Sequence, residues 1–287
     1  MTDATTTAPA PAPRSAAPGM LSSAGRVFGI SVGEMLWSKR TIFMGLVVGA
    51  PVAIAFIVRF LVWLGLPVGS VEGVRITGPA IFGGMIWILY LRIIVPILGV
   101  FYGTALIADE VEDKTITYLF TRPVRRGAIL LGKYLAYLAV TGFVVLPSVV
   151  LVYLLIASIG SNLGASFIPV LKDLALLAIG LAVYGAVFAF VGAQFKRPIL
   201  LGLFYAFGWE QIALLVPGYL RRFTIAYYLQ GPVPHAMPQE GVVSLFQAIV
   251  RDTPTLASSL FWLAVIWAGF LALGMRAVER REYILEQ

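Results

Sequence analysis

The sequence contains no cysteine and only one histidine, His235. The absence of cysteine excludes disulfide bonds, thiolate metal ligands and cysteine nucleophiles. A zinc site normally combines several histidine, cysteine or carboxylate ligands, so a single histidine argues against a metal centre. We therefore expect no metal ion in this chain, and we interpret His235 as a solvated loop residue.

Charged residues are also scarce, at 12% of the 287 residues, whereas hydrophobic residues make up 60%. Soluble domains contain about 45–50% apolar and about 25% charged residues. Both differences indicate a chain that lies mostly in lipid. In such a chain the basic residues behind the net charge of +7 set the orientation and contact anionic headgroups. We therefore expect the lipid bilayer, and no nucleic acid, as a partner.

Six apolar runs are each long enough to cross the ~30 Å hydrocarbon core of a bilayer as a helix. Backbone polar groups in lipid must bond within their own segment, so the runs predict an all-α polytopic membrane protein. Only Lys196 and Arg197 separate the fourth and fifth runs, which indicates a tight helical hairpin. The runs cover about residues 42–66, 80–108, 131–159, 170–195, 198–216 and 256–277.

The six-span domain is predicted over residues 42–278. Residues 1–20 are rich in alanine, proline and threonine without an apolar period, which predicts a disordered tail. Residues 21–41 mix apolar and charged side chains, which predicts an amphipathic helix in the membrane interface; the alternative is a plain leader to the first span. Residues 218–255 are predicted to form an outer loop, and residues 279–287 a cytoplasmic tail.

The distribution of the 21 lysine and arginine residues predicts the orientation. Basic residues concentrate on the cytoplasmic side of membrane proteins. If the N-terminus is cytoplasmic, two arginines fall within spans. Few basic residues then lie on the outer side of the membrane, and all the others lie on the cytoplasmic side. We therefore expect both termini to be cytoplasmic. The outer basic residues in this arrangement are Arg75, Lys172, Arg221, Arg222 and Arg251.

The loop between the second and third runs, residues 109–130, carries the most informative pattern. Acidic residues begin it and Pro123 interrupts it, as expected for a short helix that starts after the acids and stops before the proline. Ile116 and Phe120 are four residues apart and therefore share one face of this helix, near the apolar Leu119. An apolar face on a short helix in a polar loop indicates a protein partner.

Eight residues of this loop and of the adjoining third run follow a pattern of their own: Glu110, Thr115, Leu119, Pro123, Val124, Arg126, Gly132 and Lys133. The pattern begins with an acidic residue, which is followed by a threonine and an apolar residue. A Pro-Val pair and an arginine come next, and Gly-Lys follows at the start of the next span. This pattern resembles that of the permease subunits of ABC-2 type exporters. Lys114 and Arg125 depart from it, because the family usually has a glycine and a small residue at these positions.

The resemblance implies that the loop contains a coupling helix, which docks on a cytoplasmic ATP-binding subunit. It also implies a permease that exports a substrate together with two ATP-binding subunits and a second permease, as a homodimer or a heterodimer. The expected location is the inner membrane, with multiple spans. The implied docking residues are Glu110, Asp113, Thr115, Ile116, Leu119, Phe120, Pro123 and Arg126.

ATP and magnesium would be bound by the partner, so we expect no catalytic residue and no cofactor in this chain. The segment from Gly127 to Lys133 has the glycine and lysine spacing of a phosphate-binding loop. It has Tyr134 where that motif needs serine or threonine, however, and no strand precedes it. Two alternative functions stay open: a secondary transporter, and a membrane anchor or assembly protein that transports nothing.

Three charged residues fall within the predicted spans: Arg59, Arg92 and Glu210. A charge in lipid is costly unless it is paired or hydrated, so each is a candidate functional residue. Arg92 and Glu210 are predicted to pair and hold their spans together, while Arg59 is predicted to extend its side chain towards the outer headgroups. The alternative is that these residues line the substrate pathway.

Overall fold

The computed structural model describes residues 19–66, 70–71, 74–75, 78–112, 126–159, 167–215, 219–233 and 254–280. These residues are helical almost throughout, which confirms the predicted all-α class. Within the described part of the chain, the one pair of β-strands is antiparallel: β1 (Ser70–Val71) and β2 (Val74–Arg75), with two residues each. The predicted tail over residues 1–20 lies almost entirely outside the described residues.

The helices occur in the order that the apolar runs predict. Three π-helical segments, Ile86–Ile94, Gly99–Gly103 and Phe204–Trp209, interrupt the α-helices, and Tyr219–Phe223 forms a 3₁₀-helix. The α-helices are α1 Met20–Leu36, α2 Lys39–Trp63, α3 Gly78–Met85, α4 Val95–Leu98, α5 Ala105–Glu112, α6 Arg126–Ile156, α7 Phe167–Gln194, α8 Pro198–Leu203, α9 Glu210–Leu215, α10 Ile225–Gln230 and α11 Leu256–Arg280.

Within the described residues, five helices are long and apolar enough to cross a membrane. We call them the first, second, third, fourth and sixth spans; they are α2, the continuous helix Gly78–Glu110, α6, α7 and α11. The fifth predicted run is helical through α8, Phe204–Trp209 and α9. It is not one of these five helices, so a sixth span remains a prediction.

Two predicted boundaries, those of the loop 109–130 and of the helix 21–41, differ from the observed helix ends. In the first case the helices extend into polar sequence, and in the second a polar residue interrupts the helix. The predicted loop 109–130 is shorter at both ends, since the second span's helix continues to Glu112 and the third begins at Arg126. The predicted helix 21–41 ends at Leu36 instead. Ser38 is in an extended conformation and its hydroxyl donates a hydrogen bond to the Met35 carbonyl, 3.0 Å away, so a new helix begins at Lys39.

The second span is wound irregularly around its proline. Pro96 has no N–H group, so it cannot donate to the carbonyl of Arg92 four residues earlier. The segment before it, Ile86–Ile94, is π-helical, and the Val95 N–H bonds to the Tyr90 carbonyl five residues back. π-helical turns are frequent at functional sites. The second span therefore departs from a regular α-helix on both sides of Pro96.

The second and fourth spans form the centre of the bundle. In each, 61% of the most apolar window is buried, against 22% in the first span and 17% in the sixth. The peripheral spans expose large apolar side chains, among them Phe56, Trp63 and Phe261. Such a surface is stable only against lipid or another protein, as a membrane-embedded chain requires.

Glycines allow the central helices to approach closely. A Cβ atom at Gly192 of the fourth span would overlap the carbonyl oxygen of Thr104 in the second span, and one at Gly185 would overlap the Tyr137 ring in the third. Hydrogen bonds reinforce this contact, because the Tyr137 hydroxyl donates to the Leu181 carbonyl at 3.0 Å. Small residues with interhelical hydrogen bonds are the usual basis of helix association in lipid.

We expect Gly192→Ala to destabilise the protein, because its new methyl group must displace the backbone of the second span. Overpacking of this kind costs about 1–3 kcal/mol. Gly142→Ala is the matched control in the third span, since nothing lies within 4 Å of its Cβ position. Thermal unfolding of the purified protein in detergent measures both, and an equal midpoint for the two variants would contradict close packing at Gly192.

Candidate functional site

Two ion pairs join three spans where the second span leads into the predicted coupling loop. We call this end of the bundle the loop side. Arg40 of the first span donates to Asp109 of the second at 2.8 Å. Glu110, the next residue, forms an ion pair with Lys133 of the third span. Consecutive acidic residues at the end of one helix thus bind the helices that precede and follow it.

The Glu110–Lys133 pair is the better shielded of the two. Its side chains are 17% and 10% exposed, whereas those of Asp109 and Arg40 are 37% and 38% exposed. Exposed ion pairs contribute little to stability, because water and salt screen them. Removing one partner of a shielded pair is costly, since the other charge is left without compensation. Glu110–Lys133 is therefore the firmer connection at the base of the loop.

Helix α1 packs against the third span beside this pair. A Cβ atom at Gly132 would overlap the Ala24 carbonyl oxygen and the Val27 side chain. The buried face of α1 consists of the small residues Ser23, Ala24 and Ser31. Its remaining surface exposes apolar side chains such as Ile30. An amphipathic helix located in the membrane interface remains a prediction.

The structure describes two of the eight predicted docking residues. Glu110 binds Lys133 within the chain, and Arg126 is half-buried at the first turn of the third span. The others, which lie outside the described residues, are Asp113, Thr115, Ile116, Leu119, Phe120 and Pro123. Contact of any of these residues with a partner subunit remains a prediction.

Glu210 is buried and connects three segments of the chain. One carboxylate oxygen accepts a 2.6 Å hydrogen bond from the Tyr184 hydroxyl of the fourth span. The other accepts from the backbone N–H groups of Ile225 and Ala226, at 2.8 and 3.0 Å. These N–H groups open α10, where a negative charge is favourable next to the helix dipole. Glu210 therefore fixes the start of α10.

Helix α10 is short but completely buried from Ile225 to Gln230. Thr224 precedes it, and its hydroxyl oxygen accepts a hydrogen bond from the Tyr227 N–H at 3.3 Å. Six residues are too few for a stable isolated helix. The bonds to Glu210 and the burial of its side chains must therefore hold α10 in place.

The predicted ion pair between Arg92 and Glu210 is wrong. Among the described residues, Glu210 instead binds Tyr184 and the first N–H groups of α10, which the sequence pattern did not reveal as donors. The Arg92 guanidinium lies 5.6 Å from the centre of the Trp87 ring, and its Nε atom has no acceptor in the described part of the chain. Arg92 and Glu210 still attract each other electrostatically, without direct contact.

Arg59 is an exposed residue that joins the first and third spans. It lies one turn before the end of the first span, and its guanidinium donates a hydrogen bond to the Ser158 hydroxyl at 3.0 Å. Ser158 follows the last turn of the third span. Both residues are thus at the end of the bundle opposite the loop, in agreement with the predicted extension of Arg59 towards a membrane surface.

Asp173 is a buried acidic residue that the sequence pattern did not single out. It is fully buried in the second turn of the fourth span. Its position within an apolar segment was the available signal, but its neighbour Lys172 suggested an exposed end. Within the described residues, no three histidine, aspartate or glutamate side chains come together as a metal site would need.

This arrangement defines a polytopic α-helical membrane protein whose loop side is braced by ion pairs. A family model described as ABC-2 family transporter protein matches residues 8–283. The chain therefore belongs to the ABC-2 transporter family, and it is a membrane-spanning component of an ABC transporter. No curated protein matched the chain.

We expect Glu210→Gln to loosen α10, because the neutral amide lacks the negative charge that the helix N-terminus favours. The amide also has one oxygen fewer to accept the hydrogen bonds from Tyr184 and from α10. The expected loss is about 1–3 kcal/mol, the usual cost of poorly satisfied buried polar groups. The readout is the labelling rate of a single cysteine at buried Ala226 in this cysteine-free chain. Glu34→Gln on the exposed part of α1 is the control. Equal labelling rates in the two variants would show that Glu210 does not hold α10.

Proposed function

We propose that this chain is the permease of an ATP-driven exporter, acting with a second permease and two cytoplasmic ATP-binding subunits. Membership of the ABC-2 family supports the general function. The observation that carries the proposal further is the pair of ionic contacts at the base of the loop, Arg40–Asp109 and Glu110–Lys133. They connect the proposed docking segment mechanically to three spans.

In this proposal the ATP-binding subunits bind ATP and magnesium and close together during hydrolysis. Their movement displaces the coupling loop. The second span is helical up to Glu112, and Asp109 and Glu110 bind the first and third spans. A displacement of the loop would therefore move these three spans as one body instead of unwinding the end of one helix.

The π-helical segments are the places where the spans are most able to deform. Ile86–Ile94 and Gly99–Gly103 divide the second span, and Phe204–Trp209 interrupts the fifth run just before Glu210. A π-turn converts to α-helix by a small shift of hydrogen-bond register. Such shifts would let the opposite side of the bundle, including α10, respond to movement on the loop side.

The basic residues support the proposed orientation. With the loop side cytoplasmic, Lys39, Lys196, Arg276 and Arg280 also lie on the cytoplasmic side, at the ends of the first, fourth and sixth spans. This agrees with the usual excess of basic residues inside. It corresponds to a multi-pass protein of the inner membrane, with both termini in the cytoplasm.

Among the intramembrane charges, Arg92 is the residue that we assign to the substrate pathway. Arg59 and Glu210 are engaged in hydrogen bonds that connect segments of the chain. Arg92 retains a buried Nε atom without an acceptor among the described residues and lies in a π-helical segment. A residue with spare donors at this depth is suited to contact a passing polar group.

The decisive substitution is Phe120→Asp, which places a charge on the apolar face that the sequence predicts for Ile116 and Phe120. An anchor of this kind contributes about 2 kcal/mol or more to binding. We therefore expect the affinity for the ATP-binding subunit to fall by about thirtyfold. Transport-linked ATP turnover should be lost while the spans remain inserted. Copurification and ATPase rates in nanodiscs measure these effects.

Two variants control for the nature of the change. Phe120→Leu keeps an apolar side chain and should retain the partner, whereas Thr117→Asp adds the same charge outside the shared face and should have a smaller effect. If inserted Phe120→Asp protein binds its partner and supports ATP turnover normally, this loop is not the coupling element. The exporter proposal would then lose its main support.

A further inference from the structure

A cleft of about 540 Å³ lies between the fourth and sixth spans on the loop side of the bundle. The start of the third span lies close to the sixth span here, because a Cβ atom at Gly127 would overlap the Glu279 carboxylate. The cleft is open to the surroundings and is distinct from the ion pairs at the base of the coupling loop. Its lining residues are Phe190, Gln194, Leu273, Arg276, Ala277 and Arg280.

The polar edge of the cleft is positively charged. Arg276 and Arg280 are four residues apart, so their side chains leave the same face of the sixth span. Both are exposed, and neither forms an ion pair with another residue in the described ranges. Glu279 follows Arg276 by three residues and so adjoins it on the helix surface, but its carboxylate lies against Gly127 of the third span. The two guanidinium groups therefore retain their full capacity for an anion.

The opposite edge of the cleft is apolar and continuous with the outer surface of the bundle. Phe190, Leu273 and Ala277 line it, and Leu273 is 47% exposed. The sixth span is the least buried of the five spans. A ligand seated here would place its charged group between the arginines and its apolar part along the exposed surface of the sixth span. Free phosphate would leave the apolar edge uncovered.

We propose that this cleft is a binding site for an anionic phospholipid of the leaflet on the loop side. Arg276 and Arg280 would bind the phosphate group, since guanidinium matches phosphate geometry and forms charge-assisted hydrogen bonds. Gln194 supplies a further donor at the same level. The acyl chains would lie against Phe190 and Leu273. Basic pockets between transmembrane helices on the cytoplasmic side are suited to acidic headgroups.

The test compares the thermal stability of the purified full chain in detergent with added phosphatidylglycerol or phosphatidylcholine. Phosphatidylglycerol should stabilise the wild type more than phosphatidylcholine does. Arg276→Gln/Arg280→Gln should weaken the apparent affinity for phosphatidylglycerol by about tenfold or more, because both charge-assisted contacts are lost. Native mass spectrometry provides a second readout, as the number of lipid molecules retained.

Two further variants separate lipid binding from a general effect on folding or charge. Ala277→Trp should fill the cleft and reduce binding of phosphatidylglycerol while keeping both arginines. Arg26→Gln/Lys39→Gln removes the same charge from exposed positions in α1 and the first span, and it should leave binding unchanged. Equal loss of lipid in this control would overturn the site, because general surface charge would then explain the binding.

Two other occupants have outcomes of their own. Equal stabilisation by inorganic phosphate would show a simple anion site and overturn the lipid proposal. Residues 281–287 carry Glu282 and Glu286 and follow directly after Arg280. If phosphatidylglycerol binds only after residues 281–287 are removed, the cleft belongs to this segment and the proposal is wrong. Binding that is unchanged by their removal supports the lipid.

Discussion

The close contact between the second and fourth spans is the interaction on which the rest of the bundle depends. It exists because Gly192 has no side chain where the Thr104 carbonyl approaches. In lipid, helices gain little from burying apolar surface, so contact distance and hydrogen bonds decide which helices associate. The third span joins this pair through Tyr137, and the Trp267 indole of the sixth donates to the Tyr134 hydroxyl at 2.7 Å. The first and sixth spans lie at the periphery, where they are the least buried of the five.

Polar residues then add connections to this central packing. On the loop side, Asp109 and Glu110 bind basic residues of neighbouring spans. Within the bundle, Glu210 binds the fourth span and the start of α10. Each contact satisfies a group that would be costly to leave alone in a low-dielectric setting.

The sequence predicts the apolar spans well, because hydropathy and span length are local properties. It predicts the ends of the loop less well, since Asp109 and Glu110 are paired with basic residues and the helix continues to Glu112. Glu210 stands out in the sequence as a charge within a span, but its partners do not, because the N–H groups of Ile225 and Ala226 carry no side-chain signal. The closeness of Gly192 to Thr104 and the burial of Asp173 depend on how helices pack, which is a long-range property.

If residues 109–130 face the cytoplasm and contact an ATP-binding subunit, one cysteine can show both. In this cysteine-free chain, Tyr118→Cys gives a unique reactive site in the middle of the predicted loop. We expect that an impermeant thiol reagent does not label it in intact cells, and that a short bifunctional reagent joins it to the ATP-binding subunit in isolated membranes. Labelling from outside the cell, or an accessible cysteine that never joins that subunit, would rule out a coupling loop at these residues.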